Sequence, residues 1–314
     1  MLYHVSILAH NEASNLCPCL SSLLSQSLDT DDGIEIVVIA NGCTDNTEDI
    51  VRAFHRQDSR VSLFSIKDAG KVNALKMYLS SQEHALSSQD HGGVVYFMDA
   101  DVTLQRSRTL VQLRHHLISD SALYAVSASS IPESVYNKNI DFVSCLFRAQ
   151  SKISNHLKPN VMRGAFYCIK TAIIKRLAFP ANLISDDIYF EICLDGHFAT
   201  DYDYPIVYRL HKGIKREIRR NLLHCLGVLQ AYLYLKQNAF SRLDPDSAKQ
   251  RYRAQYIDNA DATRYLFKNL DLKSLCFMAI YALYYKHNIK KARRLLAMHG
   301  TNGIDYHNFW KTRD

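Results

Sequence analysis

The sequence predicts an open α/β fold, a mostly parallel sheet flanked by helices, followed by a mainly helical C-terminal region. Three observations carry this. Short β-branched runs alternate with helix-like stretches over the first hundred residues, and each run leads into a polar loop. The last hundred residues lack such runs and repeat Leu and Tyr through basic, helix-like segments.

The first strand is expected at Tyr3-His4-Val5-Ser6-Ile7-Leu8-Ala9, followed by the loop His10-Asn11-Glu12 and a helix from Ala13 to Leu28. A second unit repeats the order, with Ile34 to Ile39 as strand, Ala40 to Asp45 as polar turn and Asn46 to His55 as helix. Two consecutive strand-loop-helix units predict parallel pairing with right-handed crossovers. Val61 to Ile66 alternates like a third strand, Gly70-Lys71 opens a helix through Leu79, and Val94 to Met98 reads as a buried strand after the loop Ser87 to Gly93. These first hundred residues look like a nucleotide-binding half of Rossmann-like type.

Asp99-Ala100-Asp101 directly follows the last of these strands. In an extended chain residues i and i+2 point the same way, so both carboxylates can present hard oxygen ligands where parallel α/β sheets bind ligands. Alone, a D-x-D also suits a turn or cap.

The wider pattern resembles the family-2 glycosyltransferases, which have the GT-A fold and use nucleotide-activated sugars. Val5-Ser6-Ile7 with Asn11-Glu12 is similar to that family's opening V-x-I-x-x-x-N-E, and Val37 to Thr47 to its V-V-D-D-G-S-T-D-x-T turn. Gly70-Lys71-Val72-Asn73-Ala74-Leu75 resembles its G-K-x-x-A-L segment, and Asp99-Ala100-Asp101 falls where its metal-binding D-x-D stands. Arg163 to Tyr167 resembles the glycine-containing acceptor-side strand, and Ser185-Asp186-Asp187-Ile188 the E-D-x-x-L motif with the catalytic base. The resemblance spans about residues 3 to 212, and it sets the expected division into a GT-A domain over 1–212 and a C-terminal region over 213–314.

The resemblance implies a metal-dependent, inverting transfer of one sugar from a nucleoside-diphosphate sugar, UDP-sugar favoured. The acceptor hydroxyl would belong to a glycan, a lipid-linked or a small-molecule substrate, with surface-polysaccharide synthesis as the implied setting. The donor is expected against Ala9, Asn11, Glu12, Asn41, Lys71, Asp99, Ala100, Asp101 and Gly164. Mn²⁺ or Mg²⁺ would be held first by Asp101, with Asp99 contacting the ribose or binding the metal through water, and His211 completing the shell or touching the diphosphate. Asp187 is the expected base, with Asp186 beside it in place of the usual Glu. Ala40 stands where many members have an Asp that contacts the nucleobase, which leaves Asn41 or another residue to read the base edge. The Q-x-x-R-W motif of processive synthases is missing after Asp187, favouring single addition.

The alternatives are a nucleotidyltransferase of related fold, which would release pyrophosphate, and a non-catalytic sugar-nucleotide-binding or scaffold protein. For Asp186-Asp187 the plain reading is a helix N-terminus, where carboxylates suit the dipole. For Lys71 it is a solvated lysine.

The 314 residues are 47% apolar, enough for a sizeable core and a smaller second unit. Charge divides unevenly: residues 213 to 314 hold 19 Lys or Arg against 8 Asp or Glu, a net of +11, which leaves residues 1 to 212 at −4. The tail reads as helices at Ile218 to Lys236, Ala248 to Asp258, Ala262 to Leu270, Leu272 to Tyr285 and Ile289 to Met298. It suits a helical bundle covering the core, or a peripheral contact with anionic membrane through basic clusters such as Lys215-Arg216 and Lys290-Lys291. No nucleic-acid-binding motif accompanies the net charge of +7. The opening lacks a basic n-region and long apolar stretch, and the eight scattered cysteines, with Cys17 and Cys19 the only close pair, read as core or inert thiols. The expected location is cytoplasmic, with peripheral contact at the inner membrane face.

Overall fold

In the computed structural model, residues 1–81, 93–136, 141–177, 183–210, 213–237 and 272–299 are described. Strands β1 (Leu2–Ala9), β2 (Gly33–Asn41), β3 (Val61–Ile66) and β4 (Val94–Asp99) follow the β-branched runs and pair in parallel in the order β3-β2-β1-β4. The register sets Ala9 opposite Ala40 and Leu8 opposite Asp99, so three strands finish along one edge. That edge is where the loops of the site gather.

Period-two alternation divides each strand between two cores. On one face Tyr96 and Met98 join Leu16, Leu20 and Leu23 of α1 (Leu16–Leu24) and Val51 of α2 (Thr47–Gln57). On the other, Val95 and Phe97 meet Ala74, Leu75 and Tyr78 of α3 (Lys71–Ser81). Helices on both faces explain why β4 is apolar at every position from Val94 to Met98.

The second half departs from simple winding. After β5 (Val102–Leu104), α4 (Thr109–Ser119), β6 (Ala125–Pro132) and α5 (Phe142–Leu157), strand β7 (Phe166–Lys170) runs antiparallel between β4 and β6. Helices α6 (Thr171–Ile174) and α7 (Asp186–Cys193) then lead to β8 (Phe198–Tyr208), which pairs parallel to β6 and antiparallel to β5. The result is one mixed sheet of order β3-β2-β1-β4-β7-β6-β8-β5.

Two helix expectations are corrected. The helix expected from Ala13 to Leu28 forms only over Leu16–Leu24. Asn15 and Leu16 both donate backbone N–H to the Glu12 carbonyl in a turn, and the Ser22, Ser25 and Gln26 side chains bond nearby backbone carbonyls. The helices expected at Leu272 to Tyr285 and Ile289 to Met298 are one continuous helix, α9 (Leu272–His299). Its polar middle is held because buried Asn288 donates to the Ile218 carbonyl and to Asn221 of α8 (Ile214–Gln237). The helices expected at Ala248 to Asp258 and Ala262 to Leu270, residues 87–92 of the loop before β4, and His211 lie outside the described residues.

Helix α8 docks on the core through charge and apolar contact together. Arg220 donates to both oxygens of Glu217, which is 5% exposed, and its guanidinium lies 4.9 Å from the Phe147 ring centroid of α5. Val228 and Ala231 pack on Ile188 and Ile192 of α7. The described cysteines are free thiols; Cys17 is exposed, and burial pushes the Cys19 thiol well up. Among the described residues no helix is long and apolar enough to cross a membrane.

Candidate active site

The loop after β1 and the loop after β2 are bound into one surface. Asn11 adopts φ 55°, and its Oδ1 accepts from the Thr44 amide (2.7 Å) and hydroxyl (3.3 Å). The Thr47 hydroxyl accepts from the Glu12 amide at 2.8 Å and donates to Asp45, which also accepts from the Ala13 amide. Burial works to raise the Asp45 carboxyl, and the bonds from Thr47 and these amides outweigh it and hold it below its usual value. Glu12 Oε2 accepts from Asn15 at 2.6 Å. In this structure the side chains of Asn11 and Glu12 are thus engaged in loop contacts.

Asn41 sits deeper than a base-reading residue requires. It is 3% exposed; its amide nitrogen donates to the Ala9 carbonyl (2.8 Å) and its amide oxygen accepts from the Gly70 amide (3.0 Å). The side chain clips the start of α3 to the ends of β1 and β2. Gly42 is required beside it: φ is +56°, and a Cβ there would lie 2.7 Å from Ala69. Ala9 and Ala100 are buried, at 1% and 2% exposure.

At the end of β4 the carboxylates come together. Lys71 Nζ lies 2.8 Å from Asp99 Oδ1 and 3.2 Å from Asp186 Oδ1, so one ammonium joins the D-x-D to the start of α7. The plain reading of Lys71 as a solvated surface lysine therefore fails. Burial, then Asp101 and Asp186, pushes the Asp99 carboxyl up to about 7 against the pull of Lys71. Burial raises Asp186 also, with Asp187 adding to it, and its Oδ2 is buried without a hydrogen-bond partner. Burial works to lower the Lys71 ammonium; the carboxylates of Asp186, Asp99 and Asp187 outweigh it and keep it charged. Two carboxylates, Asp99 and Asp186, therefore share one lysine, with Asp187 acting on it at longer range.

Asp186-Asp187 does open a helix, as the plain reading held, and the helix is fixed in a particular pose. Asp187 Oδ1 accepts from the Ser185 hydroxyl (2.6 Å) and the Ile188 amide (2.8 Å). A Cβ on Gly164 would lie 2.7 Å from Asp187 Cβ and 3.1 Å from its Oδ2, so Gly164 borders the expected base directly. Glu191, one turn on, accepts from the Met162 amide at 3.0 Å, and burial pushes its carboxyl up to about 7.

Residues 5–176 match the family model described as Glycosyl transferase family 2. The chain belongs to this family.

Solved structures agree on the fold. A mannosyltransferase, PcManGT from Pyrobaculum calidifontis in complex with GDP-Man and Mn²⁺, matches with a TM-score of 0.60 at 18% identity, over 96% of this chain and 86% of that one. S. aureus TarS 1-349 in complex with UDP-GlcNAc matches at 0.51 and 14% identity, over 99% and 91%, and its complex with UDP at 0.50 and 16%, over 88% and 77%. No curated protein matches this chain in sequence.

For a family-2 glycosyltransferase the donor set at Asp99 and Asp101 fits a hard divalent cation. Among the described residues no group of three or more His, Cys, Asp or Glu gathers, but Mg²⁺-type sites commonly use one or two carboxylates plus substrate phosphates. Burial is the main cause of the raised Asp99 carboxyl; Asp101 and Asp186 add negative charge beside it, which a bound cation would relieve.

Several residues escaped the sequence reading. Ser185 and Glu191 brace α7; Gly227 of α8 approaches so closely that a Cβ would lie 2.7 Å from Ser185 Cβ, and Gln230 accepts from the Ile184 amide at 2.9 Å. Arg209 donates its backbone N–H to the Asp101 carbonyl and its guanidinium to Asn15 and the Ser14 carbonyl, tying the D-x-D turn to the first loop. Apart from Ser185, which bonds Asp187 two positions on, none carries a local sequence signal, because each acts on residues distant in the chain.

Proposed function

We propose that this chain transfers a single sugar from a nucleoside-diphosphate sugar, a UDP-sugar by preference, to a hydroxyl of a glycan, lipid-linked or small-molecule acceptor, with inversion. The observation that supports this best is the Asp99-Lys71-Asp186 link, which brings the D-x-D within one bonded cluster of the carboxylate at Asp187. A nucleotidyltransferase would not need a carboxylate braced opposite the phosphates.

In this reading Asp187 takes the proton from the acceptor hydroxyl as its oxygen attacks the anomeric carbon. The bond from that carbon to the diphosphate breaks on the opposite face, which inverts the centre. Oδ1 is already engaged by Ser185 and Ile188, so Oδ2 is the oxygen that receives the proton. Gly164 leaves the room beside it. Lys71 holds positive charge next to the departing diphosphate, at a helix start whose free amides also favour anions. Asp101 and Asp99 would hold a Mn²⁺ or Mg²⁺ ion, which would supply neutralisation of the charge that develops on the leaving oxygen.

The test is thermal stabilisation of wild type and Asp101→Ala by UDP, GDP, CMP and their sugar conjugates, with and without Mn²⁺. A Mn²⁺-dependent rise for one nucleotide, lost in the variant, is expected. No rise with any of them would remove the donor assignment and leave a scaffold.

A further inference from the structure

We infer that the outward face of α9 is a docking surface for an anionic lipid bilayer. Helix α9 contains six Lys or Arg and no Asp or Glu over its 28 residues. Its inner face is settled by packing: Ala292 and Leu296 are buried with Leu222, Cys225 and Leu226 of α8, and Asn288 bonds to that helix. Turned away from them, at helical spacing along one side, stand Ile280, Leu283, Lys291, Arg294 and Met298, with exposed Tyr284 at the border with the packed face.

Four of these six are large apolar side chains left in water. Leu283 and Met298 are each 67% exposed, and Ile280 and Tyr284 about 40%. Single exposed apolar residues are ordinary, but a set on one helix face interleaved with cations is the pattern of an interfacial helix. From Ile280 to Met298 the face runs about 27 Å, long enough to lie along a membrane surface. Lys290, exposed at its flank, adds to the charge.

The charge selects the occupant. None of the ion pairs among the described residues involves α9. Residues 238–271 and 300–314 carry net charges of only +1 and 0 in sequence, so the C-terminal region as a whole stays cationic. A face that is apolar and uniformly cationic complements acyl chains beneath anionic headgroups. A soluble polyanion would engage the cations and leave Leu283 and Met298 in water.

Placement adds a consequence for the reaction. Helix α9 packs on α8, and α8 touches Ser185 beside Asp187 through Gly227. A bilayer on α9 is therefore joined to Ser185, beside the proposed base Asp187, by a short chain of packed elements.

The experiment is co-sedimentation of the full chain with vesicles of phosphatidylcholine alone and of phosphatidylcholine mixed with phosphatidylglycerol, across a salt series. Wild type is expected to partition onto the anionic vesicles only, and less so as salt rises. Lys291→Gln with Arg294→Gln is expected to lower the partition coefficient about 25-fold, at about fivefold per cation. Leu283→Asn with Met298→Asn is expected to lower it by about tenfold or more at unchanged salt dependence. All four positions are exposed, and an unchanged thermal midpoint checks that the variants fold.

Failure of wild type to bind anionic vesicles overturns the inference. So does binding that survives both pairs of substitutions, which would move the contact elsewhere. Loss with the charge pair but none with the apolar pair would assign the face to a soluble polyanion and overturn it equally. None of these readouts depends on sugar transfer, so they stand apart from the donor assignment.

Discussion

Gly164 and Asp187 share a space that two side chains cannot fill: a Cβ on Gly164 would come within 2.7 Å of Asp187 Cβ. The contact is with the root of the aspartate rather than its tip, so rotation of the carboxylate cannot relieve it. Gly164→Ala is expected to displace Asp187 and lower kcat by about 100-fold, as misplacements near 1 Å do. Nucleotide affinity, measured by calorimetry, should stay within about twofold, since the effect is on orientation and not on uniform binding. A variant with wild-type kcat would separate Gly164 from the base.

Removing the charge without the shape is a different test. Asp187→Asn is expected to cut transfer by about 100-fold to 10,000-fold, the usual contribution of a positioned general base. Donor-induced thermal stabilisation should persist. Near-wild-type transfer in this variant would show that another group takes the proton.

Lys71→Met removes the ammonium and leaves Asp186 buried beside Asp99 with no cation. Unpairing a buried carboxylate is costly, and with Lys71 itself 30% exposed the loss is expected to be about 1.5 to 2.5 kcal/mol, half the figure for a fully buried pair. Chemical denaturation would measure it. Adding Asp186→Asn should recover most of the loss, because the stranded charge is then gone; a double variant no better than the single one would refute the pairing account.

Glu191 predicts a pH dependence of stability. Its carboxyl is raised from 4.5 to about 7 in the fold, chiefly by burial, so the folded chain binds more protons than the unfolded one between those values. The stabilising contribution is therefore full below about pH 4.5 and is lost as pH rises through about 7. Glu191→Gln can still accept the Met162 bond and has no charge to bury. Its melting temperature should match wild type near pH 4.5 and exceed it above pH 7, and parallel curves would contradict the shift.

Strands β1, β2 and β4 were legible because each is a β-branched run bounded by polar turns, and burial on both faces leaves little ambiguity. The edge half of the sheet was not, since β6 is AVSASSIP and β8 is FATDYDYPIVY, too polar to stand out. Their polarity is absorbed by bonds across the fold: the Ser127 hydroxyl donates to the Val161 carbonyl, and Asp201 pairs with His116 of α4. The motifs located the carboxylates, but not how Lys71 divides itself between Asp99 and Asp186, which are 87 positions apart in sequence. Asn41 shows the limit most clearly. Its motif suggested recognition, whereas its amide is spent on the Ala9 and Gly70 backbone, contacts that exist only once β1, β2 and α3 have met.

The shared position of Lys71 also makes a statement about coupling. One positive charge bridges Asp99 at the end of β4 and Asp186 at the start of α7. Whatever neutralises Asp99 frees that charge to turn wholly toward Asp186 or toward an incoming diphosphate, so the two halves of the cleft are not filled as independent events. On the proposed assignment of Asp99 to the donor and Asp186 to the acceptor, each substrate is expected to change the affinity for the other by the same factor.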